Sequence, residues 1–196
     1  ASWARRTSCA CWRDESHSRS ASGRHAVSTS AIRVPLDTLE RTAELARTLG
    51  DALRQRTFRA VMLFGPMGAG KTTLVRLIVL ELPGGEEAEV ASPSFNSVNL
   101  YPTRPEVAHF DLYRLQQTGL DEELLELLHE PGLVPVVEWA EHLDPRLWPQ
   151  PSLTIRMEIC GQGRAAVLQA TDPELQAAIP GIASGVGNTG HPGRKL

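Results

Sequence analysis

Lysine is almost missing from this sequence of 196 residues, since only Lys71 and Lys195 occur among its 20 basic residues. Aromatic residues make up 5% of the chain, and the formal net charge is -3. A protein that grips nucleic acid with its own surface normally has a strongly basic face with stacking aromatic side chains, so this composition argues against one. No continuous apolar run in the sequence approaches the roughly 18 residues that a membrane-spanning helix needs.

Cysteine is also scarce. There are three cysteines, and the last of them, Cys160, lies in a predicted strand. Three thiols are too few for the disulfide framework of a secreted protein, so the count favours a reducing compartment. A length of 196 residues matches one domain. The composition also excludes a collagen, a coiled coil and a wholly disordered chain.

The N-terminal segment differs in composition from the remainder of the chain. Residues 1–33 contain six arginines and eight serines against two acidic residues, a charge of +4, whereas the remaining residues carry -7. This composition is typical of an organellar transit peptide, but it also fits a start site assigned too early, with Val27 as a candidate start. We favour the second interpretation. We expect a disordered leader over residues 1–33, a folded domain over residues 34–179 and a flexible, glycine-rich tail over residues 180–196.

Hydrophobic periodicity predicts alternating helices and strands from residue 34 onward. Residues 39–53 have apolar side chains at helical spacing, and Asp37 followed by Glu40 is typical of a capping box at a helix start. The apolar run at residues 60–64 predicts a buried strand of a parallel sheet. The other predicted elements are helices at 71–82 and 121–129, strands at 97–101, 107–112 and 134–138, and a hairpin of 153–159 with 164–170.

A glycine-rich loop joins the strand at 60–64 to the helix at 71–82. Its sequence, GPMGAGKT at residues 65–72, matches the P-loop pattern G-x-x-x-x-G-K-[ST] at every fixed position. Such a loop lets backbone N–H groups and a helix N-terminus meet a phosphate chain, and the one lysine of the folded body stands where a compact ammonium is needed. The alternative is a glycine-rich turn before an ordinary helix. The candidate nucleotide-binding residues in this segment are Gly65, Met67, Gly68, Ala69, Gly70, Lys71 for the β- and γ-phosphates, Thr72 for Mg2+ and Thr73 for the α-phosphate.

Two carboxylates stand at the ends of predicted strands. Asp111 follows Val107-Ala108-His109-Phe110, and Glu138 follows Val134-Pro135-Val136-Val137. In an open α/β sheet the carboxyl ends of the strands face the ligand crevice, so both side chains are candidates for the metal side and for orienting water during nucleotide hydrolysis. The alternative for either residue is a solvated strand end without a function.

Four segments together resemble a known family. GPMGAGKTTLVR, SPSFNSVNLY, HFDLYRL and VVEWAEHL occur in this order between residues 65 and 143, and they are similar in order and spacing to the TsaE (YjeE-like) ATPases of bacterial tRNA threonylcarbamoyladenosine synthesis. The resemblance covers about residues 36–170. HFDLYRL and the following Glu-Trp pair are its most specific parts, because the P-loop is shared with many families.

The resemblance implies a P-loop NTPase-like, three-layer α/β sandwich with a mostly parallel sheet, helices on both faces and antiparallel edge strands. It implies an ATP- and Mg2+-dependent hydrolase that acts as an accessory to a threonylcarbamoyl transferase. The expected partners are the transferase subunit and its inactive paralogue, which modify the adenosine beside the anticodon of ANN-reading tRNAs. We expect contact with tRNA only through these partners, no membrane association, and a cytoplasmic location, or an organellar one if the leader is a transit peptide.

The resemblance also implies roles for individual residues. Lys71 and Thr72 would hold phosphate and Mg2+, Asp111 would act on the metal side, Glu138 would polarise the attacking water, and Trp139 would line the nucleotide pocket. The catalytic candidates are therefore Lys71, Asp111 and Glu138, and the metal candidates are Thr72, Asp111 and Glu138. A buried hydrophobic anchor is the alternative for Trp139. Three further motif residues are expected to be structural or to face a partner: His109, Tyr113 and Arg114.

A polar turn, Ser92-Pro93-Ser94-Phe95-Asn96, precedes the predicted strand at 97–101. Switch loops of nucleotide hydrolases lie in this position, so Ser94 is a candidate for the γ-phosphate or its metal. The resembling family usually has threonine where this chain has Ser94, and the hydroxyl is preserved. Ala91 is smaller than the polar residue often found there.

Other nucleotide-dependent functions are compatible with a P-loop. A small-molecule kinase would need a lid carrying arginines, whereas residues 119–130 have room only for an acidic helix. A Ras-like GTPase needs an N-K-x-D motif to recognise guanine. Neither lysine of this chain lies in such a motif, so this alternative is excluded. A binding module that uses ATP as a conformational ligand with little hydrolysis stays open. Because no arginine finger is evident, we expect turnover to be slow without partners.

Overall fold

A single mixed sheet runs through the computed structural model, which describes residues 31–187 except positions 87, 94, 95 and 117. Residues 1–30 of the expected leader and 188–196 of the expected tail therefore lie outside the described residues. The strands are β1 (Ile32–Leu36), β2 (Ala60–Phe64), β3 (Val98–Tyr101), β4 (Glu106–Asp111), β5 (Leu133–Glu138), β6 (Ser152–Cys160) and β7 (Gly163–Ala170). The α-helices are α1 (Leu39–Arg54), α2 (Lys71–Glu81), α3 (Glu122–His129) and α4 (Pro173–Ser184).

The centre of the sheet is parallel and its edges are antiparallel. The strand order is β1-β7-β6-β2-β5-β4-β3. The strands β6, β2, β5 and β4 run parallel to one another, whereas β3 pairs antiparallel with β4 and the pairs β6–β7 and β7–β1 are antiparallel. Side chains of α1, α2 and α4 share one buried cluster with the sheet, and those of α3 share the other. The expected three-layer α/β sandwich of P-loop NTPase type is confirmed.

The central strand β2 leads directly into the glycine-rich loop. Its residues Val61 and Leu63 pack in the cluster with α1 and α2, whereas Ala60 and Met62 pack in the cluster with α3. Both faces of the strand are therefore covered, which explains its continuous apolar sequence. The prediction of a buried strand at residues 60–64 is confirmed.

Helix α1 begins differently from the expected capping box. The N-cap is Thr38, whose side chain accepts a hydrogen bond of 3.3 Å from the backbone N–H of Arg41. Asp37, the expected cap, instead forms an ion pair of 3.2 Å with the Arg41 guanidinium. The prediction of Asp37 as the cap is wrong by one residue, because Thr38 offers an equivalent oxygen at the position where the helix starts.

Within the part of the chain that the structure describes, no helix is long and apolar enough to cross a membrane.

The folded domain extends beyond the predicted range of residues 34–179 at both ends. Strand β1 begins at Ile32, and Arg33 forms an ion pair of 3.2 Å with Glu158, so the expected leader of residues 1–33 overlaps the sheet. Helix α4 continues to Ser184 with Pro180 inside it. Ile182 is buried against the core, so residues 180–184 are not a loose tail. Burial of this side chain outweighs the helix-breaking tendency of the glycines and proline.

Candidate functional site

The glycine-rich loop wraps tightly between β2 and α2. Gly65 has a φ of 129°, and a Cβ there would overlap the carbonyl oxygen of Met157 on β6. Gly70 is the N-cap of α2 and has a left-handed φ of 98°. Only glycine adopts these conformations readily. The loop therefore ends at the N-terminus of α2, where backbone N–H groups and the positive end of the helix dipole favour an anion.

Lys71, the first residue of α2, points back over this loop. Its Nζ donates hydrogen bonds to the carbonyl oxygens of Gly65, at 2.7 Å, and Pro66, at 3.1 Å. Nζ also lies 3.7 Å from the ring centroid of Trp139. Burial lowers the pKa of the Lys71 ammonium, and the negative charges of Glu138, Glu141 and Asp111 partly offset that shift. The ammonium is thus held at the loop, where the motif requires it.

The two candidate carboxylates lie side by side because of the strand register. Asp111 and Glu138 are paired residues at the ends of the parallel strands β4 and β5. Both side chains are buried, with exposed fractions of 6% and 2%. Residues 65–70 connect α2 to strand β2, which pairs with β5. The adjacent strand ends therefore bring both carboxylates to the phosphate loop.

Glu138 uses its two oxygens for two different contacts. Oε2 accepts a hydrogen bond of 3.0 Å from Oγ1 of Thr72, and Oε1 lies 2.8 Å from Nε2 of His109. Thr72 is the P-loop hydroxyl expected to bind Mg2+. This contact joins the phosphate loop to the end of β5.

Asp111 contacts the loop that precedes β3. Its Oδ2 accepts a hydrogen bond of 2.5 Å from Oγ of Ser92, and its Oδ1 accepts one of 3.1 Å from the backbone N–H of Tyr113. Ser92 belongs to the same polar turn as Ser94, which lies outside the described residues. The role expected for Ser94 thus stays a prediction, whereas Ser92, which the sequence did not single out, contacts a candidate catalytic residue.

An aromatic pair forms one wall of the site. Trp139 has a φ of 58°, in the left-handed region that bulky residues rarely occupy. This backbone conformation follows the end of β5, and the ring lies next to Tyr113, with centroids 4.9 Å apart at 46°. The pair stands beside Lys71, so Trp139 lines a cavity and is not an anchor buried away from the site.

These residues surround a cavity of about 330 Å³. Gly65 and Ala69 are not among its lining residues, and Ala69 is fully buried. Arg164 on β7 lines the cavity, and its Nη2 donates a hydrogen bond of 3.2 Å to the carbonyl oxygen of Gly68. No motif in the sequence indicated this arginine. The lining residues are Met67, Gly68, Gly70, Lys71, Thr72, Thr73, Ser92, Asp111, Tyr113, Glu138, Trp139 and Arg164.

Comparison with known proteins identifies the family of this chain. The family model described as "Threonylcarbamoyl adenosine biosynthesis protein TsaE" matches residues 36–166, more than half of the chain. The chain belongs to the TsaE family. This confirms the resemblance carried by the four sequence segments, and all of the described cavity residues fall within the matched range. The family acts in tRNA threonylcarbamoyladenosine biosynthesis.

Individual TsaE proteins match over most of their length. The chain is 33% identical over 133 residues to that of Rickettsia felis, covering 66% of this chain and 74% of the relative. It is 30% identical over 131 residues to that of Treponema pallidum, covering 66% of this chain and 93% of the relative. Among solved structures, YdiB of Bacillus subtilis has a TM-score of 0.59 at 20% identity, covering 80% of this chain and 96% of YdiB. This last likeness supports the fold.

Proposed function

We propose that this protein is an Mg2+-dependent ATPase that assists threonylcarbamoylation of the adenosine beside the anticodon of ANN-decoding tRNAs. One observation carries the proposal above all others. In a member of the TsaE family, the P-loop hydroxyl of Thr72 and the carboxylate of Glu138 are hydrogen-bonded at 3.0 Å inside a cavity next to Lys71. A phosphate cradle with a carboxylate beside its metal-binding hydroxyl is the minimum that nucleotide hydrolysis requires.

The phosphate chain of ATP would be held by the loop and two cations. The first residues of α2 line the cavity. Lys71 would exchange its hydrogen bonds to the loop carbonyls for contacts with the β- and γ-phosphates. Thr73 lines the cavity where the α-phosphate is expected. Arg164 supplies a second positive charge at the cavity wall. Trp139 also lines the cavity, next to Lys71.

The donor set fits Mg2+ better than a metal held by protein ligands alone. Among the described residues, no group of three or more His, Cys, Asp and Glu side chains is arranged to hold a metal ion. Mg2+ usually keeps several waters and binds through one or two carboxylates together with substrate phosphates. Thr72, Glu138 and Asp111 provide such a partial set. When bound, Mg2+ would neutralise charge on the phosphates.

The geometry favours different roles for the carboxylates of Glu138 and Asp111. Because Glu138 bonds Thr72, it stands on the metal side of the cavity. Asp111 lies one strand farther from β2 and faces the turn that contains Ser92, so we assign it to orienting the attacking water. This reverses the roles that the resemblance implied, in which Asp111 acted on the metal side and Glu138 on water.

Partners complete the proposed function. The chain outside residues 1–33 carries a charge of -7, which disfavours an independent grip on tRNA phosphates. We therefore propose that the transferase subunit and its inactive paralogue hold the tRNA and stimulate ATP turnover. Their substrate places the proposed complex in the cytoplasm, or in an organelle if the leader is a transit peptide.

Turnover of ATP, measured with and without the two partner subunits, tests the proposal. We expect slow Mg2+-dependent hydrolysis by the protein alone and faster hydrolysis with the partners. Lys71→Ala should abolish nucleotide binding, and Glu138→Ala should abolish stimulated turnover. Glu141→Ala is the matched control, since Glu141 is a nearby exposed carboxylate that does not line the cavity.

Three outcomes would contradict parts of this proposal. A stimulated rate that survives Glu138→Ala would remove the assigned role of Glu138. Transfer of phosphate from ATP to a metabolite, detected with labelled nucleotide, would favour a small-molecule kinase instead. Tight ATP binding without turnover, even with both partners present, would favour a binding module.

A further inference from the structure

His109 is a buried histidine to which the proposed function assigns no role. Its side chain on β4 is fully buried, with an exposed fraction of 0%. Nε2 lies 2.8 Å from Oε1 of Glu138, whereas Nδ1 is buried without a hydrogen-bond partner among the residues that the structure describes. A buried nitrogen without a hydrogen-bond partner destabilises the folded protein. An apolar residue would avoid this cost, so the histidine is not explained by packing alone.

The sheet holds the imidazole in one place. His109 and Asp111 are two residues apart on β4 and therefore lie on the same face of the sheet, the face that carries α2. The ring stacks on Tyr101 of β3 with centroids 6.3 Å apart and an angle of 29°. The imidazole is thus confined between a buried tyrosine ring and the carboxylate of Glu138.

The chemistry of this contact selects the tautomer. An ionised carboxylate only accepts hydrogen bonds, so Nε2 carries the proton and its N–H donates a hydrogen bond to Oε1. Oε1 is then occupied, and the other oxygen, Oε2, faces Thr72 at 3.0 Å. Rotation of the Glu138 carboxylate would break both hydrogen bonds. The orientation of the Glu138 carboxylate is therefore set by His109 at Oε1 and by Thr72 at Oε2.

We propose that His109 is a positioning residue, which fixes the carboxylate of Glu138 so that Oε2 is presented to Thr72 and the metal side of the phosphate cavity. The proposal rests on the function proposed above, because it assigns Glu138 to that side. Removing a residue that hydrogen-bonds a metal-binding side chain typically lowers metal affinity or activity about 10- to 100-fold. His109 itself would contact neither nucleotide nor metal.

Two amide variants separate positioning from packing. In His109→Gln the side-chain amide can place an N–H close to the position of Nε2, whereas in His109→Asn the shorter amide reaches only the position of Nδ1. Both variants bury a polar group of similar kind, so both face a similar folding cost. We expect His109→Gln to keep most of the wild-type Mg2+ response, and His109→Asn to lose about 10- to 100-fold.

The measured response is the ratio of the dissociation constants of a fluorescent ATP analogue without and with Mg2+. This readout does not depend on turnover. Thermal unfolding of each variant without nucleotide is measured alongside. Val107→Ala is the control for packing, because Val107 is fully buried two residues earlier on the same face of β4; it should lower Tm and leave the Mg2+ ratio unchanged.

A double variant tests whether His109 acts through Glu138. In a Glu138→Ala protein, adding His109→Asn should have no further effect on the Mg2+ ratio. An additional loss there, a wild-type ratio for His109→Asn, or equal losses for the Asn and Gln variants would each overturn the proposal. If the wild-type protein shows no Mg2+-dependent binding of ATP, the proposed function itself fails, which is a distinguishable result.

Discussion

Arg164 on β7 donates a hydrogen bond to the carbonyl oxygen of Gly68 in the phosphate loop, at 3.2 Å. Its side chain also packs against Gly70, where an added Cβ would lie 3.5 Å from Cδ of the arginine. The arginine therefore joins the last strand of the sheet to the loop that begins α2. Arg164 is exposed and lines the cavity, so we expect its guanidinium to contribute to binding of phosphate.

Arg164→Ala should weaken binding of ATP about tenfold. A hydrogen bond to a charged group contributes about 1.5–3 kcal/mol, and the exposure of Arg164 favours the lower end. Arg164→Lys should lose less, because it keeps the charge. Titration of a fluorescent ATP analogue measures the change. Arg156→Ala is the control, since this exposed arginine of β6 does not line the cavity; equal losses for both alanine variants would indicate a general charge effect.

Gly65→Ala should destabilise the fold more than Gly68→Ala does. At Gly65 a Cβ would overlap the backbone of Met157, whereas at Gly68 no atom lies within 4 Å of the added Cβ. Both glycines have a positive φ, so both variants have the backbone cost of about 1–2 kcal/mol, and only Gly65 adds the overlap. Urea unfolding without nucleotide gives the two free energies. Equal destabilisation by the two variants would show that β6 moves enough to accommodate the added Cβ.

Lys71 should make the unliganded protein more stable as the pH rises from neutral towards the ordinary lysine pKa of 10.5. Burial lowers the pKa of this group in the folded state, so the unfolded chain binds more protons in that window and stability rises with pH. The difference in unfolding free energy between the wild type and Lys71→Met isolates this contribution, because other titrating groups are common to both. A difference that stays constant between neutral pH and 10.5 contradicts the shift.

Ile182→Ala should lower the free energy of unfolding by about 2 kcal/mol or more, as truncation of a buried isoleucine generally does. The residue lies in the part of α4 that the sequence assigned to a loose tail, and its exposed fraction is 7%. Ala177→Ser, at an exposed position of the same helix, is the control. If Ile182→Ala leaves Tm unchanged, the last turn of α4 contributes nothing to the core.

Much of the fold follows from local patterns in the sequence. The strand at residues 60–64 has the predicted bounds, and helix α2 ends one residue before the predicted end. The predicted ends of the folded domain, at residues 34 and 179, lie inside β1 and α4, because β1 and the last turn of α4 have weak local patterns. Their places depend on β7 and on the core, which supply the hydrogen bonds and the buried surface.

The phosphate loop and the two strand-end carboxylates are predictable from the sequence, because glycine spacing and strand periodicity act over a few residues. The contacts that these groups make follow from the tertiary structure. Thr72 and Glu138 are 66 residues apart, and Gly68 and Arg164 are 96 apart. Their contacts depend on β2 lying between β5 and β6, an order that differs from the order along the chain. Strand pairing across the sheet is a long-range choice, made by burial of the whole core, and it brought His109 and Arg164 to the site.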